Sequence, residues 1–194
     1  MKPKQGLIFV ISGPSGSGKT TILKRLLKIK VLKNRLVKSI SFTTRPKRLG
    51  EREGKDYCFI SEGEFRRKRR TEKLLEWTRY LGYYYATPKD FLVRQFAKDK
   101  HSILCLDRKG TLKIKRLYPK NTVTIFVMPP SLGALRERIE QRSRKTQKQE
   151  ISRRINLAKK ELQASRWYNY YVLNRDLRLA VRELKSIILS KTST

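Results

Sequence analysis

Residues 7–21 read Leu-Ile-Phe-Val-Ile-Ser-Gly-Pro-Ser-Gly-Ser-Gly-Lys-Thr-Thr. The apolar run Leu7–Ser12 has the character of a buried parallel strand, and it opens into G-x-x-x-x-G-K-T, Gly13 to Thr20. Ile22, Leu23, Leu26 and Leu27 then recur at helical spacing, which predicts a helix over 19–29. Strand, glycine-rich turn and helix, in that order, let backbone amides and a helix N-terminus cradle phosphate. The glycines free the amides to face phosphate oxygens, Lys19 reaches the terminal phosphates of a nucleoside triphosphate, and the Thr20 hydroxyl is placed for Mg²⁺. Gly13, Pro14, Ser15, Gly16, Ser17, Gly18, Lys19 and Thr20 are therefore the candidate donor site.

Apolar segments at 102–106 and 122–128 alternate with helical patterns, as parallel strands with crossover helices do. The expected fold is α/β: a P-loop NTPase core with a central parallel sheet flanked by helices. From Asp176 onward, Leu177, Ala180, Val181, Leu184, Ile187 and Ile188 mark a terminal helix whose apolar face docks on that sheet. Residues 37–87 differ in texture, with Thr, Tyr and Phe in short runs, and predict a small mixed or antiparallel insertion. Ser61 and Glu64 fit a capping box that starts a short helix over 61–70. The polar stretch 142–154, RSRKTQKQEISRR, predicts a helical lid. The expected organisation is one domain over 1–194, with core segments 6–36, 88–140 and 155–190, an insertion over 37–87 and a lid over 141–154.

The chain has 48 Lys and Arg against 16 Asp and Glu, a formal charge of +32, which attracts nucleic acid, anionic membrane and phosphorylated small molecules alike. Hydrophobic residues make up 38%, enough for a folded core rather than a disordered chain. Two cysteines, Cys58 and Cys105, lack zinc-like spacing and form no disulfide framework, so a reducing cytoplasm is expected. The apolar run near the N-terminus ends at a glycine-rich turn with no cleavage site, so it is not read as a signal peptide. No stretch is long enough to span a membrane.

The acceptor is suggested by SISFTTRPKRLGEREGKDY, residues 39–57, and EWTRYLGYYYATP, residues 76–88. With the P-loop and the later Pro129-Pro130-Ser131, these segments resemble the guanylate kinase family, P-loop nucleoside monophosphate kinases, from residue 7 to about residue 188. That resemblance implies ATP as donor with Mg²⁺, and GMP as acceptor bound in the insertion. It assigns Arg45 and Arg48 to the GMP phosphate, where a guanidinium fork suits a dianion, with Tyr57 and Tyr85 donating to the same phosphate. It assigns Glu76 and Asp107 to the guanine N1 and N2 hydrogens, which adenine lacks, and Ser41 and Thr87 to positions near guanine O6. Arg138, Arg142 and Arg154 match arginines that neutralise the transferring phosphoryl group, with Arg136, Arg144 and Arg153 as close rivals; Asn174 matches the contact to the donor adenine. Singly, each of these residues also reads as ordinary surface chemistry. It is their order and spacing that select the family, and the scarce acids Glu51, Asp56, Glu76 and Asp107 all stand where it asks for them.

Some positions depart from the family. Cys105 stands where an Asp is usual, which weakens Mg²⁺ handling if that carboxylate acts through water; the thiol is read as a small buried hydrophobe. Arg108 and Lys109 add cations beside the acceptor, and Ala86 replaces a glycine, a mild change unless the backbone needs positive φ there. Two other functions remain open on the sequence: an interaction module on this scaffold with weakened catalysis, and a sugar-phosphate kinase. The excess cations at 66–70 (RRKRR) and 28–38 (KIKVLKNRLVK) read as solvated faces in preference to a non-specific nucleic-acid surface, since no motif with stacking aromatics is visible. The sequence leaves the oligomeric state open.

Overall fold

The computed structural model describes residues 6–142 and 148–192. Strand β1 (Ile8–Ser12) lies at the centre of a five-stranded sheet ordered β2 (Leu36–Lys38), β7 (His101–Cys105), β1, β8 (Thr122–Met128) and β9 (Tyr170–Leu173). Every neighbouring pair is parallel. A parallel sheet must be covered on both faces, which is why the Ile-Phe-Val-Ile run of β1 is buried without alternation. On one face Phe9, Ile11 and Ile125 pack with Ile22 and Leu26 of α1 (Lys19–Leu26) and with Ala180, Leu184 and Ile188 of α8 (Leu177–Thr192). On the other, Ile8, Val10 and Leu104 meet Leu92 of α4 (Lys89–Phe96) and Ile114 of α5 (Arg108–Leu117). Leu135, Ile139 and Ala158 join α6 (Leu132–Arg142) to α7 (Lys148–Gln163).

The second sheet holds four strands, ordered β4 (Cys58–Phe59), β3 (Phe42–Thr43), β6 (Tyr83–Pro88) and β5 (Leu74–Tyr80). It is mixed, since β3 pairs parallel with β4 but antiparallel with β6. Leu81 and Gly82, both at positive φ, form the two-residue turn that returns β5 to β6. A register shift between Leu74 and Glu76 precedes a regular alternation, in which Glu76 and Thr78 are buried while Trp77 and Arg79 are exposed. Helix α3 (Glu62–Arg70) covers the outer face through Phe65.

The structure refines several expectations. The first helix ends at Leu26, and a turn leads to α2 (Lys30–Lys33). Residues 37 and 38 belong to β2, at the edge of the parallel sheet. Ser61 caps α3 by accepting from the Glu64 amide at 3.1 Å, but the Glu64 carboxylate pairs with Lys68 instead of returning to the cap. Residues 143–147 of the expected lid lie outside the described residues; the residues on either side end α6 and begin α7.

Candidate active site

At the carboxyl ends of the parallel strands, where open α/β sheets bind ligands, the chain forms a cleft. One wall is the Gly13–Thr20 loop. Gly13 turns at φ 138°, with Val127 O directly where a side chain would begin, and Gly18 starts α1 at φ 93° against the Asn174 carboxamide. No side chain caps α1, so the amide donors of its first turn are left for an anion. The Lys19 ammonium donates across its own loop to Gly13 O and, at 2.8 Å, to Pro14 O. Gly13, Ser15, Gly16, Gly18, Lys19 and Thr20 line the cleft, with Pro14 and Ser17 buried behind them.

The opposite wall carries the cations. Arg45 is 6% exposed and fixed on three sides: Nη2 donates to both oxygens of Glu51 at 2.8 and 3.0 Å, Nη1 to Pro46 O at 2.6 Å, and Nε to the Tyr85 hydroxyl at 3.2 Å. Burial disfavours its charge, but the bonds to Glu51 and Tyr85 outweigh that and hold its pKa above the usual value. Glu51 also accepts the Arg48 amide at 2.9 Å, so one carboxylate sets both ends of the turn. Arg48 lies exposed at the rim; partial desolvation, with Arg45 and Arg154 nearby, pushes its pKa down. Three guanidiniums thus converge on one space, an arrangement stabilised by an anion between them. Tyr57 packs edge-on to Tyr85 at 6.0 Å, and burial raises its pKa so that it stays a hydroxyl donor.

Deeper in the cleft are two carboxylates. Glu76 is 4% exposed; Oε1 accepts from Thr87 at 2.6 Å, while Oε2 is buried without a hydrogen-bond partner. Burial raises its pKa to about 7, and the Asp107 charge adds to that shift. Asp107 caps α5 by accepting from the Gly110 amide at 2.8 Å, and its other oxygen accepts from Thr78 at 2.8 Å. Gly110 has a local reason to be glycine, because a Cβ there would lie 2.7 Å from Glu76 Oε2. Ser41 lines the same cleft.

A P-loop, a cluster of arginines and an unsatisfied carboxylate thus face one cavity. The family model described as Guanylate kinase matches residues 5–191. The chain belongs to the guanylate kinase family. It is 43% identical over 189 residues to the guanylate kinase of Caldanaerobacter subterraneus subsp. tengcongensis, covering 97% of this chain and 89% of that one. The Thermotoga maritima guanylate kinase is 42% identical over 188 residues, covering 96% and 88%. Among solved structures, guanylate kinase from Anaplasma phagocytophilum superimposes with a TM-score of 0.81 at 30% identity, covering 98% of this chain and 88% of that one.

Of the arginines expected to meet the transferring phosphoryl group, Arg154 on α7 lines the main cleft. Arg138 lies instead in an adjoining hollow with Gly16, Gly18 and Asn174, its Nη2 donating to Asn174 O at 3.4 Å and its Nη1 buried without a hydrogen-bond partner. Arg142 ends α6, and its side chain, like all of Arg144, lies outside the described residues. Arg136 is tied to Glu140 at 2.8 Å on an exposed helix face, and Arg153 is exposed. Asn174 is 5% exposed and donates to Ser17 O at 2.7 Å, which braces the phosphate loop. Cys105 is half-buried and faces the cleft, so it is not the enclosed hydrophobe expected. Arg108 and Lys109 occupy the first turn of α5 with exposed side chains outside the cleft lining. Ala86 sits in β6 without positive φ.

Sequence reasoning noticed Glu51 only as a family position and passed over Thr78, Gly110 and Glu161. Glu161, seven residues after Arg154 on the same face of α7, lines the cleft; its Oε2 is buried without a hydrogen-bond partner, and burial raises its pKa to about 7 despite Lys19 nearby. Its seven-residue offset from Arg154 was the signal available beforehand.

Proposed function

We infer that this protein transfers the γ-phosphoryl group of ATP to GMP, giving ADP and GDP. The observation that carries the reading is Glu76 Oε2, a buried acceptor with no hydrogen-bond partner that shares one cleft with Lys19 and Arg45. Guanine offers two adjacent N–H donors there, one to each carboxylate or both to Glu76, with Asp107 held in place by Thr78 and Gly110. Adenine offers an acceptor at that edge and leaves the carboxylate unsatisfied, a misfit that costs roughly 10⁴ or more in sites built on hydrogen bonds. Ser41 and Thr87 stand on the O6 side.

Arg45, Arg48, Tyr57 and Tyr85 grip the GMP phosphate and aim one of its oxygens at the donor. That oxygen forms the new bond to the γ-phosphorus as the bond to the β,γ-bridging oxygen breaks, and ADP leaves with the electron pair. Lys19 and Arg154, with Arg142 from the lid over 141–154, offset the charge on the equatorial oxygens, while Arg138 serves the donor from the adjoining hollow behind the phosphate loop. The insertion over 37–87 binds GMP, and Asn174 supports the donor loop beside the adenine. For Mg²⁺ the available protein donor is the exposed Thr20 hydroxyl, and the described residues hold no group of three His, Cys, Asp or Glu that could cage a metal. That donor set fits an ion carried by phosphates and water, with the soft sulfur of Cys105 adding no ligand. When bound, the ion neutralises charge between the β- and γ-phosphates.

No described helix is long and apolar enough to cross a membrane, and the free thiols of Cys58 and Cys105 suit a reducing cytoplasm, where we place the enzyme. The test is ADP release with each of GMP, AMP, CMP and UMP as acceptor. Turnover with GMP alone is expected. Equal turnover with AMP, or none with any of the four, overturns the reading.

A further inference from the structure

We propose that the outer face of the four-stranded sheet, opposite the GMP side, binds single-stranded nucleic acid through Trp77 and the arginines of α3. β-strand alternation sends Glu76 and Thr78 into the cleft and Trp77 and Arg79 out of it, so the two faces of β5 serve different ligands. Trp77 is 42% exposed, and its ring is held in place. Phe65 and Tyr84 stack at 4.4 Å, and each meets the indole edge-on at 6.0 Å, while the Arg69 guanidinium lies over it at 4.6 Å. The indole is thus oriented before any ligand arrives. Arg69 comes from α3 and Trp77 from β5, and only their packing makes the pair. That is why the sequence shows a run of cations and no stacking motif.

The charge on this face is available. Arg66 pairs with Glu62 at 3.3 Å and Lys68 with Glu64 at 3.2 Å, but among the described residues Arg67, Arg69 and Arg70 form no ion pair. A preset aromatic ring beside the unpaired guanidinium of Arg69, with Arg67 and Arg70 exposed on the same helix, has the two components of single-strand recognition: a stacking platform for a base and cations for the flanking phosphates. A duplex keeps its base faces covered and cannot use the ring. Insertion into a bilayer takes an apolar helix face, and the one large apolar side chain of α3, Phe65, is 1% exposed beneath the helix. The chain's overall +32 draws in any polyanion, and Trp77 is what distinguishes this face from the remaining cationic surface.

The experiment is fluorescence anisotropy with unstructured 12-nucleotide RNA and DNA oligomers across a salt series, plus tryptophan fluorescence in a W167F background so that Trp77 alone reports. Binding is expected to quench Trp77. W77A should weaken affinity about tenfold, within the range for loss of one base stack, while W77F weakens it less. Replacing Arg67, Arg69 and Arg70 by Gln should lower the salt slope by about two, at roughly 0.7 per phosphate contact on a single strand. K28Q/K30Q/K33Q, which removes the same charge elsewhere, should change affinity little. The arginine triple variant should keep the circular dichroism spectrum and thermal melting midpoint of the parent, which checks its fold independently of the GMP reading. Unquenched Trp77, equal losses in the two triple variants, or equally tight binding of polyglutamate overturns the proposal. So does a preference for phosphatidylserine vesicles over the oligomers. RNA and DNA binding alike supports single-strand stacking, and a preference for RNA adds a 2′-hydroxyl contact to it.

Discussion

The two walls of the cleft are built by different means. On the donor side the backbone supplies the site: glycines in conformations closed to other residues, uncapped amides of α1, and one lysine. On the acceptor side side chains supply it, and each is held by another: Arg45 by Glu51, Glu76 by Thr87, and Asp107 by Thr78 and Gly110. A phosphate chain is the same in every nucleotide and can be bound by generic amides. A base must be told apart from three others, which takes directional groups with fixed orientation. Damage to the first wall should therefore cost rate with every acceptor, and damage to the second should cost choice among acceptors.

The largest effect is expected for K19A, which removes the lysine ammonium of the donor wall. Turnover should fall about 10³-fold with any acceptor, in keeping with loss of a charge aimed at the transition state; single-turnover kinetics at saturating GMP checks this. Next is E76Q, which keeps shape but offers guanine one acceptor instead of two. The ratio of kcat/KM for GMP over AMP should fall about 10²-fold, with the KM for ATP unchanged. E51Q comes third. It loosens Arg45 without touching a substrate and should raise the KM for GMP about tenfold, by analogy with the loss of a charge-assisted hydrogen bond. An effect on the KM for ATP of similar size would merge the two walls into one system. The smallest is G110A, whose new Cβ crowds Glu76 Oε2. It should reduce GMP preference several-fold while leaving donor binding intact.

The cleft should also carry a pH signature. The folded-state pKa values of Glu76 and Glu161 stand near 7, against 4.5 ordinarily. Between those values the native state holds protons that the unfolded chain has lost, so stability without ligand should fall as pH rises from about 4.5 through 7. E76Q should shrink that decline and E76Q/E161Q should abolish it, as thermal melts between pH 5 and 8 would show. Guanine pairs with the ionised Glu76, so GMP affinity should rise over the same window. The rise left in E76Q is that of the GMP phosphate alone.

The contrast between the walls also explains what could be read in advance. The donor loop is contiguous, so Gly13–Thr20 announced it, and the short apolar segments at 102–106 and 122–128 announced the strands that lie at 101–105 and 122–128. The acceptor residues were found only because separated motifs resembled a family; nothing in periodicity joins Arg45 to Glu76. The braces were missed for the same reason, since Thr78 and Gly110 gain meaning only when α5 is laid beside β5. The short edge strands β2 and β9, of three and four residues, escaped notice because so few residues carry no period.

Asn174 has a consequence for how the molecule is made. It holds the carbonyl of Ser17 across 157 positions of chain, and that loop follows a strand flanked by two others completed only at residues 105 and 128. The phosphate motif is therefore local in sequence while the strut that steadies it is not: Asn174 reaches Ser17 only once β9 has docked beside β8, where its own amide donates to Met128 O at 2.8 Å. The grip on phosphate is thus rigid only when the sheet is assembled out to its far edge.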